Sequence, residues 1–132
     1  MSSLIPESHL DLLSDDRPIA ASLATLMPDG SPQATPVWFD RDGEFIRVNT
    51  NRSRTKYRNM SVRPRVALVV FDPEDIYRHI QIRGEVADFR EEGAHDHIRS
   101  LSHKYTGHDF RALNPGEVRV IFRIRPTSIT AE

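Results

Sequence analysis

The sequence predicts a small antiparallel β-barrel, and three observations carry that reading. Six short segments of β-branched or alternating apolar residues are joined mostly by tight turns. Helical periodicity appears only in inserts between them. Neither G-x-G-x-x-G nor G-x-x-x-x-G-K occurs, which excludes the usual phosphate-binding loops of parallel sheets. The 132 residues make one domain, 1–132, with a single core. The fold class is mainly β, with a few short helices.

Each element follows from its residues. Residues 6–13 read as an opening helix, with Pro6 near its first turn and leucines on one face. Asp15-Asp16-Arg17-Pro18 breaks it. Residues 19–26 are small, apolar and partly β-branched, as in a buried strand. Pro28-Asp29-Gly30-Ser31 turns the chain into a return strand over 33–40. Arg41-Asp42-Gly43 is a second tight turn, leading into a strand over 44–49. Residues 53–62 lose the strand period and predict a short helix, which Pro64 ends. Residues 66–71 are apolar throughout and predict a central strand. After the turn at 72–75, residues 78–89 form a long strand, with Gly84 as a bulge or a point of close packing. Residues 91–105 carry an amphipathic helix with Ile98 and Leu101 on one face. An irregular loop over 106–115 precedes a last strand at 118–124.

Composition narrows the function. There is no cysteine, so disulfides, thiolate zinc sites and cysteine nucleophiles are excluded. No window approaches the ~20 apolar residues of a membrane span. The start, Met1 to Glu7, lacks the basic end and long apolar run of a secretory signal, so a cytoplasmic location without membrane association is expected. The net charge of −1 hides a one-sided block. Between Phe45 and Phe71 there is no carboxylate, while Arg47, Arg52, Arg54, Lys56, Arg58, Arg63 and Arg65 contribute +7. The rest of the chain carries −8, so the block points to an anionic ligand.

Residues 48–59, VNTNRSRTKYRN, run from a strand end into a helical turn rich in cations. Free N–H groups at a helix start, hydroxyls, and Arg and Lys charges make a workable phosphate cradle. A solvated basic face has the same pattern, and spacing alone leaves both open. Nucleic acid is not the expected partner, because Tyr57 is the one aromatic interleaved with the cations. His95 and His97 lie about 200° apart on a helix, and His103, His108 and Asp109 match no zinc spacing. No metal is expected, and the histidines are expected at the surface. Ser100, Ser102 and His103 do not form a nucleophile elbow, so hydrolysis is not supported.

The run from Gln33 to Gly84 resembles the pyridoxamine 5′-phosphate oxidase-like split barrels, which bind flavin or deazaflavin. It is most similar to the actinobacterial, coenzyme F420-dependent branch. The residues that carry the resemblance are Pro32-Gln33-Ala34-Thr35-Pro36-Val37-Trp38-Phe39-Asp40, Val48-Asn49-Thr50, Arg54-x-Lys56-x-x-Asn59, and Arg63-Pro64-Arg65-Val66-Ala67-Leu68. Tyr77-Arg78-His79-Ile80-Gln81-Ile82-Arg83-Gly84 continues it, and Tyr105-x-Gly107-x-Asp109 and Arg123-Ile124-Arg125-Pro126 follow in order.

This resemblance implies a split β-barrel acting as a homodimer, with two cofactor sites at the subunit interface. It implies that Thr50, Arg54 and Lys56 hold the cofactor phosphate, with Ser53 and Asn59 nearby, and that Pro36 and Val37 lie beside the ring. Alternation puts Trp38 and Phe39 on opposite faces, so one of them is expected in the core. His79 stands where the flavin oxidases send a glutamine toward the ring, usually from the second subunit. That departure, with the short C-terminus, argues against a pyridoxamine phosphate oxidase proper, while His79 becomes a candidate for proton delivery. The cofactor implied is F420, whose charged tail suits the basic block, with Arg47, Arg52 and Arg58 as extra positive surface. The reaction implied is hydride transfer to a small unsaturated substrate. The alternatives are an FMN-binding oxidase or reductase and a non-catalytic F420 carrier.

Overall fold

Along Ala21–Leu26, Phe45–Asn51 and Arg65–Asp72 burial alternates from one residue to the next, which turns one face inward and leaves the other closer to solvent. The computed structural model describes residues 4–132. The reading of the N-terminus as lacking a secretory signal falls partly on residues 1–3, outside that range. Seven strands occur among the described residues: β1 (Ala21–Leu26), β2 (Pro32–Val37), β3 (Phe39–Asp42), β4 (Phe45–Asn51), β5 (Arg65–Asp72), β6 (Asp75–Arg90) and β7 (Arg119–Ala131). Two α-helices interrupt them, α1 (Thr55–Val62) and α2 (Ala94–Thr106). The opening helix, Glu7–Leu13, is a 3-10 helix.

The sheet is antiparallel throughout, in the order β2-β1-β5-β6-β7-β4-β3. Its edges, β2 and β3, are separated in sequence by Trp38 alone. Two residue steps span about 7 Å at most, so the two edges must meet at that corner. The sheet therefore curls into a barrel that is joined at Trp38 and split elsewhere, as the resemblance implied. The predicted strand over 33–40 is thus two strands, and the count is seven rather than six. Val37 pairs with Ala21 on one edge and Phe39 with Val48 on the other.

Backbone groups at this corner have no neighbouring strand, and α2 supplies their partners. The Tyr105 hydroxyl donates to the Ile19 carbonyl at 2.8 Å and accepts from the Phe39 N–H at 3.2 Å. Lys104 Nζ donates to the Phe39 carbonyl at 2.9 Å. The Trp38 and Tyr105 rings stack at 5.4 Å. Burial pushes the Tyr105 phenol up to about 12, so it stays protonated as the network requires.

The core fills the barrel with Leu23, Phe39, Ile46, Leu68, Ile80, Ile82, Phe122 and Ile124, and Leu12, Leu13 and Met60 pack into it. The long strand behaves as predicted at Gly84. The β6–β7 register shifts there, and a Cβ on Gly84 would meet the Arg125 carbonyl oxygen at 2.5 Å. Strand β5 differs in one respect from expectation. Val66, Leu68 and Val70 are buried, but Ala67, Val69 and Phe71 line an outer face that is partly exposed. No helix among the described residues is long and apolar enough to cross a membrane.

Candidate functional site

The corner at Trp38, the end of β4 and the start of α1 enclose a cleft of about 540 Å³. Thr35, Pro36, Val37 and Trp38 form one wall, with Ala20 beside them. Asn49, Thr50 and Asn51 of β4 make the floor, and Arg54 and Lys56 stand at the start of α1. Ile98 of α2, Phe110 and Arg111 of the following loop, and Arg119 of β7 complete it.

The basic end of this cleft has unmet hydrogen-bonding capacity. Among the described residues, the side chains of Arg54 and Lys56 have no ion-pair or hydrogen-bond partner, and neither does the Thr50 hydroxyl. Helix α1 begins without a capping side chain, and the backbone N–H groups of Thr55 and Lys56 have no acceptor among the described residues. Burial, together with the charges of Arg54 and Arg119, lowers the Lys56 ammonium pKa below its ordinary value. Unpaired cations, a free hydroxyl and free amides around one space are the donor set that an anion satisfies.

The expected site residues fall into two groups. Thr50, Arg54, Lys56, Pro36 and Val37 line the cleft together. Ser53 lies outside it: the residue is exposed, its N–H bonds to Asn51 Oδ1 at 3.2 Å, and its carbonyl accepts from Arg58. Asn59 is buried, and its amide donates to Thr25 Oγ1 at 3.0 Å and accepts from Arg63 Nη2 at 3.1 Å. It ties α1 to β1 and does not line the cleft. His79 lies at the far end of β7 from Arg119, with its backbone paired to Glu132 and Nδ1 3.0 Å from the Tyr77 carbonyl oxygen. Of the Trp38–Phe39 pair, Phe39 is core and Trp38 forms the cleft wall.

Two further expectations need correction. Arg47 does not add free positive surface, because its guanidinium grips Asp40 with two hydrogen bonds of 2.8 and 2.7 Å. Arg52 pairs with Glu91 at 3.1 Å, and Arg58 folds back onto Ser53 and Thr55. The histidines are not all at the surface. His97 is buried between Asp40 and Asn49, and His9 is buried with Nε2 2.8 Å from the Glu132 carbonyl oxygen. Burial pushes the Asp40 carboxyl up, but hydrogen bonds from His97 and Arg47 outweigh it and hold the group below its ordinary value. Among the described residues, no group of three or more His, Asp or Glu is placed to share a metal ion.

Sequence reading missed Ile98, Phe110, Arg111 and Arg119 as cleft residues. Glu117 orders the loop that carries Phe110 and Arg111, accepting from Arg111 at 2.7 and 3.1 Å, from Arg119 at 2.9 Å and from the Asn114 N–H at 2.9 Å. Phe110 lies against both guanidiniums, 4.8 and 5.3 Å away. The spacing of Arg111, Glu117 and Arg119 hints at mutual pairing, but only the register that sets Arg119 opposite Asn51 brings them to the cleft.

Comparison with known proteins agrees with this fold. The sequence profile of the pyridoxamine 5′-phosphate oxidase family matches residues 5–131. A solved structure of an F420 reductase is 35% identical, covering 97% of this chain and 100% of its own, with a TM-score of 0.85. A conserved hypothetical protein from Mycobacterium tuberculosis is 24% identical, covering 95% of this chain and 82% of its own, with a TM-score of 0.72. General Stress Protein 26 from Bacillus anthracis is 20% identical, covers 92% of each chain and has a TM-score of 0.67. These last two share the fold. No curated protein matches the sequence.

Proposed function

The chain belongs to the pyridoxamine 5′-phosphate oxidase family, and from that premise we propose that it is an oxidoreductase whose cleft holds coenzyme F420 and serves a small unsaturated organic substrate. The observation that carries the reading is the set of Thr50, Arg54 and Lys56 side chains, unpaired among the described residues, in one cleft where α1 starts without a capping side chain. That set fits the phosphate of such a cofactor. The 35% identity to an F420 reductase over nearly the whole chain supports F420 as the cofactor.

In this reading Lys56 and Arg54 bind the phosphate by charge, and the Thr50 hydroxyl and the α1 amides donate to its oxygens. Pro36, Val37 and Trp38 give the ring an apolar wall that orients it and excludes water. Hydride transfer is the chemistry the bound cofactor supplies. The protein acts as a homodimer with its sites at the subunit interface. His79 then approaches the ring from the second subunit, and with Nδ1 turned to the Tyr77 carbonyl its Nε2 is the atom free to exchange a proton.

A second reading, FMN as cofactor, is favoured by one observation. Arg47 and Arg52 are neutralised by carboxylates, which leaves fewer free cations for the charged tail of F420. Parallel titrations with oxidised F420 and with FMN, followed by quenching of cofactor fluorescence, separate the two. Tighter F420 binding is expected, weakened about 10- to 100-fold in Lys56→Ala and in Arg54→Ala. Tighter FMN binding moves the chain to the flavin reading. Binding of neither, or unchanged affinity in both variants, discards the site. Turnover of reduced F420 with unsaturated acceptors then separates a reductase from a non-catalytic carrier. Phosphate affinity falls as pH rises through the lowered Lys56 pKa, because the ammonium is the binding form.

A further inference from the structure

We propose that Arg119 contacts the bound anion in the cleft and that Asn49, His97 and Asp40 are the residues that position it. The inference rests on the reading of the cleft as a phosphate-binding cofactor site, and goes beyond it by adding a contact and a buried relay.

Arg119 has three side-chain nitrogens, and two are committed. Nε donates to Asn49 Oδ1 at 2.9 Å, and Nη1 donates to Glu117 Oε2 at 2.9 Å. These bonds fix the plane of the guanidinium, whose side chain is 11% exposed. The third nitrogen, Nη2, has no partner among the described residues and is not sealed from solvent. A guanidinium held at two corners, with its third free, is prepared to donate to an anionic oxygen at little further entropy cost. Lys56 is close enough to Arg119 for the two charges to repel, so both face the same space.

The orientation of Asn49 decides whether Arg119 can sit this way. An amide carries one acceptor oxygen and two donor hydrogens. Oδ1 serves Arg119, and Nδ2 serves the Ala94 carbonyl at 2.9 Å and His97 Nδ1 at 3.1 Å. A flipped amide would set its NH2 against the guanidinium and its oxygen against the Ala94 carbonyl, so the flip is disfavoured at two contacts. Since His97 Nδ1 accepts, its proton is on Nε2, which donates to Asp40 at 3.1 and 3.2 Å. Asp40 in turn is gripped by Arg47. Every donor and acceptor in the chain from Asp40 to Arg119 is thereby assigned. His97, at 5% exposure, does not reach the cleft itself.

A purely structural alternative is that Asn49 and His97 only pin α2 to β4. A double-mutant cycle separates the two roles. Affinity for F420 and for FMN is measured by fluorescence quenching, alongside the thermal midpoint, for Arg119→Ala, His97→Leu, the pair together, and His97→Gln. Arg119→Ala is expected to weaken the better ligand about 10- to 100-fold. His97→Leu is expected to weaken it about tenfold, and to add nothing further in the Arg119→Ala background. His97→Gln, whose amide can accept from Asn49 and donate to Asp40, is expected to restore affinity. If His97→Leu does not fold, His97→Asn, polar but too short to span both partners, takes its place in the cycle. Losses that add in the double variant, or Arg119→Ala binding like the wild type, overturn the proposal while leaving the cleft assignment standing. Wild-type protein that binds neither cofactor overturns the cleft assignment, and the relay with it.

Discussion

Asn59 and Lys56 sit three residues apart on α1, and the physics asks opposite things of them. The Asn59 amide is buried and bonded to Thr25 and Arg63, whose Nε also donates to the Leu26 carbonyl at 2.7 Å. Replacing it by leucine strips partners from buried polar groups, so Asn59→Leu should cost about 1–3 kcal/mol in denaturant unfolding. Lys56 has no side-chain partner among the described residues and stands beside two like charges. Lys56→Ala should therefore leave stability within about 0.5 kcal/mol of wild type while weakening cofactor binding. A large loss of stability in Lys56→Ala would contradict its reading as an unpaired ligand-binding cation. The motif Arg54-x-Lys56-x-x-Asn59 contains both residues, and sequence spacing does not separate a binding cation from a structural amide.

At the scale of elements, β6 and β7 depend on a close approach. A methyl group on Gly84 would press on the Arg125 carbonyl oxygen and, at 3.1 Å, on Ile124 Cγ2. Backbone cannot move aside as a side chain does, so Gly84→Ala should destabilise the protein by about 1–3 kcal/mol. Thermal or denaturant unfolding measures this, and a neutral result would mean the two strands separate readily there. The loop before β7 depends on Glu117. Hydrogen bonds from Arg111, the Asn114 N–H and Arg119 hold its carboxyl down at about 2, and Arg78 does the same for Asp11. Both carboxyls are depressed below their unfolded values, so their stabilisation is complete above about pH 4–5 and is lost as pH falls toward about 2. Unfolding midpoints across this window should drop in the wild type and less steeply in Glu117→Gln. Equal slopes would remove Glu117 from the account of acid stability.

For the whole molecule, the question is what the curled sheet leaves uncovered. Ala24, Ala67 and Pro32 lie in an outer groove of about 630 Å³, and Phe71, Ile76 and Tyr77 are exposed. We propose this face for the homodimer contact, and light scattering should give twice the chain mass for the wild type. Ala67→Glu places a charge in the groove and should shift the mass toward the monomer. A wild-type monomer that still binds cofactor would end the proposal of sites at a subunit interface.

Local chemistry was enough for much of the chain. Apolar, β-branched runs mark β1 and β5 and even apolar spacing marks β6, because both signals are local, and Gly84 stands out as a residue without a side chain inside such a run. The grouping of Thr50, Arg54 and Lys56 at one cleft was legible for the same reason, since a strand end, a helix start and its cations are contiguous in sequence. Folding decided what depends on register. It divided residues 33–40 between opposite edges of the sheet, because curling brings those edges within reach of one residue. It neutralised Arg47 against Asp40, and placed Arg119 and His97 on either side of Asn49. The pairs Asn49–Arg119 and Asn49–His97 join residues 70 and 48 positions apart, and only the curled sheet with α2 packed on it makes them neighbours.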